Sequence, residues 1–318
     1  MPNRKITVIG AGAVGSATAY ALALKGTANE IVIVDINEDK SMGEALDIHQ
    51  GSPLLSEPVN VYAGNYDAAA GSDIVVITSG VGRKPGQTRL DLVNTNVQIL
   101  KAIVPQITRV CPDATYVIVA NPVDILTYVF CKISGIPEER VIGSGTLLDT
   151  ARLRARIANY LSVSQKNVHA YVFGEHGETS FVPWSIAEVS TINLEDYKEM
   201  IKLKNGIMVD LDYDEIDKYM RSSGAKIIKR KGCTNYAIAT SVCAICEFIF
   251  GGVNAVATVA TMLHGEYGLD DVCLSLPVLL GNGKVQGRIL PRLTEEEMQK
   301  LHHSANTLKE IIAQLQLD

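Results

Sequence analysis

Residues 10–15 read Gly-Ala-Gly-Ala-Val-Gly, directly after the apolar run Lys5–Ile9 and at the mouth of a helical pattern, Val14–Lys25. A G-x-G-x-x-G alone constrains little. Between a strand and a helix it constrains a great deal, because each glycine then has a separate task. Gly10 makes the tight turn, Gly12 lets a pyrophosphate approach the backbone, and Gly15 allows the helix to pack closely on the sheet. The pyrophosphate rests on the helix N-terminus, where free N–H groups and the helix dipole favour an anion. The next apolar run ends at Asp35, twenty residues past Gly15. A carboxylate at that offset accepts hydrogen bonds from the adenosine ribose hydroxyls and repels a 2′-phosphate, which selects NAD over NADP.

The surrounding rhythm agrees. Ile6–Ile9, Ile31–Val34, Ile74–Thr78 and Tyr116–Ala120 are short, almost continuously apolar runs, separated by the helical patterns Val14–Lys25, Asp39–His49 and Asp91–Arg109. Strands without polar alternation are covered by helices on both faces. The expected class is therefore α/β, a Rossmann doubly wound parallel sheet. The rhythm changes around Gly143-Ser144-Gly145, so the expected division is a cofactor domain over 1–145 and a mixed α+β catalytic domain over 146–318. Thr294 followed by three glutamates opens a terminal helical pattern running to Leu315.

Composition excludes several functions. In 318 residues, 29 Lys+Arg stand against 35 Asp+Glu, a net charge of −6, and the basic residues form no broad patch for nucleic acid. The one cluster, Lys226 to Lys231, precedes Gly232 and reads as cations at a helix C-terminus. The run Ser241 to Leu263 is broken by Glu247, Gly251, Gly252 and Asn254, so it reads as a helix ending near Phe250 and then a strand, not a membrane span. Six cysteines lack framework spacing, and the first residues lead into an apolar run too short for a signal sequence. A reducing, cytoplasmic location is expected. Cys243-x-x-Cys246 lies in an apolar helical run and the histidines show no ligand spacing, so no metal site is expected.

Three polar clusters carry the chemistry. Gly82 to Arg89 is a basic loop with Arg89 at the start of a helix, suited to a lid. Asp149 and Arg152 stand three apart on one helix face. His176 lies between glycines in Gly174-Glu175-His176-Gly177-Glu178, after the apolar run Ala170–Phe173, which is expected to be a strand. Together they meet the needs of a carbinol–carbonyl interconversion. His176 gives and takes the hydroxyl proton, and Asp149 orients and stabilises its imidazolium. Arg152 holds a substrate carboxylate through two parallel contacts, and Arg89 polarises the carbonyl oxygen.

These stretches resemble the L-lactate/malate dehydrogenase superfamily along essentially the whole chain, and most resemble its bacterial L-lactate members. The matches are GAGAVG at Gly10, KPGQTRLDLV at Lys84, NPVDILTY at Asn121, GSGTLLDTARLR at Gly143 and GEHGETSFVPWS at Gly174. The resemblance implies the roles just given for His176, Asp149, Arg152 and Arg89. It further implies that Asn121 contacts substrate and nicotinamide, that Thr234 lines the substrate side-chain pocket, and that Val14, Tyr66 and Gly80 contact the cofactor. The implied activity is reversible NADH-dependent reduction of pyruvate to L-lactate by a cytoplasmic homo-oligomer, a tetramer. Arg154 and His169 match a pair that binds fructose 1,6-bisphosphate across a subunit interface in many bacterial members.

One position departs from the lactate pattern. Arg83, six residues before Arg89, falls where many lactate enzymes have Gln and malate enzymes have Arg, so malate dehydrogenase stays open, as does another L-2-hydroxyacid dehydrogenase. Burying Arg83 against a methyl group would leave a charge unpaired. A non-catalytic NAD-binding sensor is the remaining alternative, and it gives no reason for a base, its orienter and two arginines to occur together.

Overall fold

The computed structural model describes residues 4–82, 86, 88–201 and 211–316. Six parallel strands form the first half: β1 (Lys5–Ile9), β2 (Glu30–Val34), β3 (Asn60–Ala63), β4 (Ile74–Ile77), β5 (Thr115–Ile118) and β6 (Val141–Gly143). Their spatial order is β3-β2-β1-β4-β5-β6. The chain winds outward from β1 in both directions, so a crevice opens beyond the carboxyl ends of β1 and β4, where the strand order reverses. The sheet is the expected doubly wound one.

The continuous apolar character of the strands follows from what covers them. On β4, Ile74 and Val76 face a core shared with Leu22 and Ala23 of α1 (Ala13–Leu24). Val75 and Ile77 face the opposite core, with Val97, Leu100 and Val104 of α3 (Arg89–Val110) and Phe130 of α4 (Val123–Ile133). Both faces are dry, and each fully buried Ile or Val contributes roughly 1.5–3 kcal/mol. Helix α2 (Glu38–Gly51) follows β2 and is capped by Asn37, whose side chain accepts from the Lys40 N–H. Helix α3 starts at a capping box made by Thr88 and Asp91.

The second half begins with α5 (Leu147–Leu161) and a small antiparallel sheet of β7 (Val168–His169), β8 (Glu188–Val189) and β9 (Ile192–Asn193). Helices α6 (Leu194–Met200) and α7 (Tyr213–Lys231) follow, α7 ending at Gly232 in a left-handed cap. The segment that could suggest a membrane span is α8 (Tyr236–Phe250) followed by β10 (Ala255–His264). Among the described residues no helix is long and apolar enough to cross a membrane.

Strands β10, β11 (Asp270–Gly281) and β12 (Lys284–Arg288) then join the first sheet, β10 pairing antiparallel with β6, to make nine strands. Helix α8 packs Val242, Ile245, Cys246 and Ile249 into the same core as Ile6 and Val8 of β1. The terminal helix α9 (Glu295–Ile312) covers the other face with Leu301 and Leu308.

The expected strand Ala170–Phe173 is not one. Its backbone is claimed by side chains instead: Arg154 Nε donates to the Ala170 carbonyl, Thr150 Oγ1 accepts from the Val172 N–H, and Thr146 Oγ1 donates to the Val172 carbonyl. Only the two-residue β7 and isolated bridges at Phe173 and Gly174 remain of the pattern.

Candidate active site

The dinucleotide half is a cradle. Gly10 adopts φ +107°, and a Cβ there would meet Thr78 and Ser79 within 3 Å. A Cβ at Gly15 would fall 1.7 Å from the Gly10 carbonyl, so only glycine allows α1 to sit this close. At Gly12 a Cβ would meet nothing within 4 Å, which leaves the backbone open to an approaching phosphate. Gly10, Gly12, Asp35, Tyr66 and Gly80 share one cavity of about 690 Å³. Asp35 also has a structural duty, since its carboxylate accepts from the backbone N–H groups of Ala11 (2.6 Å) and Asn37 (2.8 Å). The residues present fit a dinucleotide.

A second cavity of about 370 Å³ brings together Val14, Asn121, Asp149, Arg152, His176 and Thr234. Asp149 and Arg152 lie in the first turns of α5, and Asp149 stands between Arg152 and His176. Its Oδ1 accepts from Arg152 Nη1 at 2.9 Å, and its Oδ2 lies 2.5 Å from His176 Nδ1. With Nδ1 engaged, Nε2 is the ring nitrogen left for a ligand. The negative charge of Asp149 raises the His176 pKa, outweighing the burial that would lower it. Burial works against an ionised Asp149, yet His176 and Arg152 hold its carboxyl below the usual carboxylate range.

The His176 turn is fixed on several sides. Gly174, at φ +89°, exchanges backbone hydrogen bonds with Ser275 of β11. Ser304 of α9 accepts from the Glu175 N–H at 2.8 Å. The His176 N–H donates to Asp124 Oδ2 at 2.7 Å.

Asp124 was not singled out from the sequence, although it lies within the quoted NPVDILTY stretch. It is 2% exposed, and its Oδ1 has no hydrogen-bond partner among the described residues. Burial pushes its carboxyl up to about 6. The signal was an acid in an otherwise apolar helix start. Asn96 was missed too: buried on α3, it accepts from the Val81 N–H and donates to the Asn121 carbonyl, joining the loops beyond β4 and β5.

Other expected residues fall elsewhere. Gly15 lies beneath the cradle, as its packing role requires. Arg89 opens α3, while Arg83 lies outside the described residues. Arg154 and His169 are not among the residues that line the 370 Å³ cavity; the Arg154 guanidinium stacks on Tyr171 at 4.8 Å and bonds Ala170, the residue after His169.

A glycine cradle at the switch point of a doubly wound sheet, beside a buried carboxylate–imidazole pair, defines a nicotinamide-dependent oxidoreductase. Residues 4–143 match the lactate/malate dehydrogenase NAD-binding domain, and residues 146–316 match the alpha/beta C-terminal domain of the same family. The chain belongs to the lactate/malate dehydrogenase family, and its cofactor is NAD. It is 44% identical to L-lactate dehydrogenase of Thermoanaerobacterium saccharolyticum, covering 98% of this chain and 99% of the relative. It is likewise 44% identical to that of Acetivibrio thermocellus, over 99% and 98%. The crystal structure of the minor L-lactate dehydrogenase from Enterococcus mundtii in a ligand-bound form superposes with a TM-score of 0.94 at 37% identity, covering 99% of both chains.

Proposed function

We propose that the protein interconverts pyruvate and L-lactate, with residues 1–145 serving the cofactor and 146–318 the substrate. The observation that carries this reading is the contact of His176 with Asp149 in the cavity that Arg152 also lines. Bound NADH supplies the hydride for C2 of the ketone. Protonated His176 gives its Nε2 proton to the carbonyl oxygen as the alcohol forms, and takes it back in the reverse direction. Asp149 keeps Nδ1 protonated and stabilises the imidazolium. One Arg152 donor is committed to Asp149; the others have no protein partner among the described residues and serve the substrate carboxylate. Asn121 and Thr234 complete the pocket, and Arg89 polarises the carbonyl oxygen.

The reading extends to a homo-oligomer, supported by the exposed apolar Met42 and Leu46 on α2 and Tyr20 on α1. It also extends to fructose 1,6-bisphosphate at Arg154 and His169, supported by the bond from Arg154 to the carbonyl of Ala170, the residue next to His169 in the chain. Arg83 favours a second substrate, oxaloacetate. The test compares kcat/KM for pyruvate and oxaloacetate, with and without fructose 1,6-bisphosphate. Pyruvate is expected to lead, and a tenfold preference for oxaloacetate rejects the lactate assignment. If the bisphosphate changes neither pyruvate affinity nor oligomeric state, the regulatory part is rejected. His176→Ala is expected to lose at least about 10³-fold in kcat while retaining NADH affinity; comparable losses in both would make the histidine structural.

A further inference from the structure

His176 sits on a turn that is closed by the residue before it. The Glu175 N–H donates to Ser304 Oγ at 2.8 Å, Thr179 Oγ1 donates to Glu175 Oε2 at 2.6 Å, and the Ser304 and Thr179 hydroxyl oxygens are 3.0 Å apart. A hydroxyl has one proton to give. Thr179 gives its own to the carboxylate, so the proton between the two hydroxyls comes from Ser304. The three bonds run one way around a ring: Glu175 N–H to Ser304, Ser304 to Thr179, and Thr179 back to the Glu175 carboxylate. Ser304 is 0% and Glu175 2% exposed, so water is poorly placed to substitute for either.

The ring accounts for the glycines on either side of this histidine. A Cβ at Gly174 would stand 2.7 Å from Ser304 Oγ, and one at Gly177 would stand 2.7 Å from the Glu175 carboxyl carbon. In both places the room for a side chain is already taken by atoms of the ring.

Ser304 belongs to α9, a helix that supplies no residue to the lining of the cavity around His176. Seven residues earlier on the same face, Glu297 accepts from the Ser185 N–H and hydroxyl. Helix α9 therefore grips the segment that carries His176 at two points. The charged groups that act on the imidazole stand on other elements, Asp149 and Arg152 on α5 and Asp124 on α4, with Glu175 and Glu178 on the turn itself.

Resting on the assignment of His176 as proton donor above, we infer that Ser304 and Thr179 are positioning residues. By fixing the Glu175–His176 peptide they hold the imidazole against Asp149, and α9 takes part in the reaction without reaching the substrate cavity. Removing the Ser304 hydroxyl leaves a buried N–H without its acceptor, and the turn relieves that by moving.

The experiment measures kcat, pyruvate KM, NADH affinity, Tm and the pH profile of pyruvate reduction for Ser304→Ala, Thr179→Val, Thr179→Ser and Ser185→Ala. Misplacing a reacting group by about 1 Å can cost on the order of 10²-fold, so Ser304→Ala and Thr179→Val are expected to lower kcat about 10- to 100-fold, with NADH affinity within about threefold of wild type. Their alkaline limb should move to lower pH, because an imidazole drawn away from Asp149 loses the charge that raises its pKa. Thr179→Ser keeps the hydroxyl and should restore both kcat and the limb. Ser185→Ala loosens α9 elsewhere, so it should lower Tm and leave the limb in place. If Ser304→Ala does not fold, Thr179→Val decides alone, since Thr179 is only half-buried. Wild-type kcat and pH profile in the ring variants overturn the inference. So does an equal loss of kcat and NADH affinity, a loss in Thr179→Ser as deep as in Thr179→Val, or the same shift of the limb in Ser185→Ala. In each of these cases pyruvate turnover by the wild type keeps the parent reading intact. A wild type that reduces neither pyruvate nor oxaloacetate rejects the parent reading, and the inference falls with it.

Discussion

Two histidine–carboxylate pairs in this protein have the same length and different surroundings. His176 Nδ1 lies 2.5 Å from Asp149, and His264 Nε2 lies 2.5 Å from Glu138. In the first pair the side chains are 27% and 9% exposed; in the second they are 59% and 39% exposed. Water screens the second pair and competes for its hydrogen bonds, so its contact distance says little about its strength. At His176 the carboxylate is dry, fixed by Arg152, and close enough to decide the protonation state of the ring. Burial and the guanidinium bonded to the carboxylate distinguish the pairs, and contact distance does not.

The largest expected effect tests the buried pair. Asp149→Asn keeps the shape but removes the charge and can present the wrong tautomer, and a loss of about 10³- to 10⁴-fold in kcat is expected for pyruvate reduction. The pH profile gives the sign. Asp149 raises the His176 pKa, so the protonated acid that reduction needs persists to higher pH in the wild type, and the variant should lose activity at lower pH. A variant whose profile coincides with the wild type would show that Asp149 does not set the ring's charge.

The next effect concerns the second acid on the same histidine. Asp124, raised by burial to about 6, is favoured in its protonated form in the folded state. A carboxyl raised in this way contributes stability below its ordinary pKa and loses it as pH rises through the folded value. The contribution at stake is at most roughly 3 kcal/mol. Asp124→Asn retains an acceptor for the His176 N–H and removes the titration. Whatever its absolute Tm, the variant should flatten the decline of Tm between about pH 4 and 6; parallel curves would place the ionisation of Asp124 outside that window. The smallest effect sharpens the contrast. Glu138→Gln should change stability by no more than about 1 kcal/mol and leave kcat unaltered, and a loss of turnover would contradict the assignment of that pair to the surface.

The first half was more legible than the second for a physical reason. Its strands are buried on both faces and bounded by glycine turns, so each appears as an isolated apolar run. β6, of three residues, is too short to stand out, and β3, only partly buried, lacks the continuous apolar run of its neighbours. Helix α4, buried almost all round, shows no polar face to mark its period. In the second half, partners distant in sequence decide the local structure, and at Ala170–Phe173 the side chains of α5 and the loop before it displace a strand. The site was readable where chemistry requires unusual residues, as at His176, Asp149 and Arg152. It was not readable where a residue acts by supporting another: Asp124 and Asn96 are ordinary polar residues until the fold buries them.

The seating of α8 against β1 has a consequence for how the chain is made. The cofactor half ends near residue 145, but its core is finished by Val242 to Ile249. On a ribosome adding about 5–20 residues per second, roughly 100 further residues take on the order of 5–20 s. Through that interval the outer surfaces of Ile6, Val8 and Leu22 await their cover, and β6 has no β10 along its edge. Such a nascent chain is a natural client for chaperones, and a fragment stopped at residue 145 would be born sticky, with an open strand edge beside an unroofed apolar face.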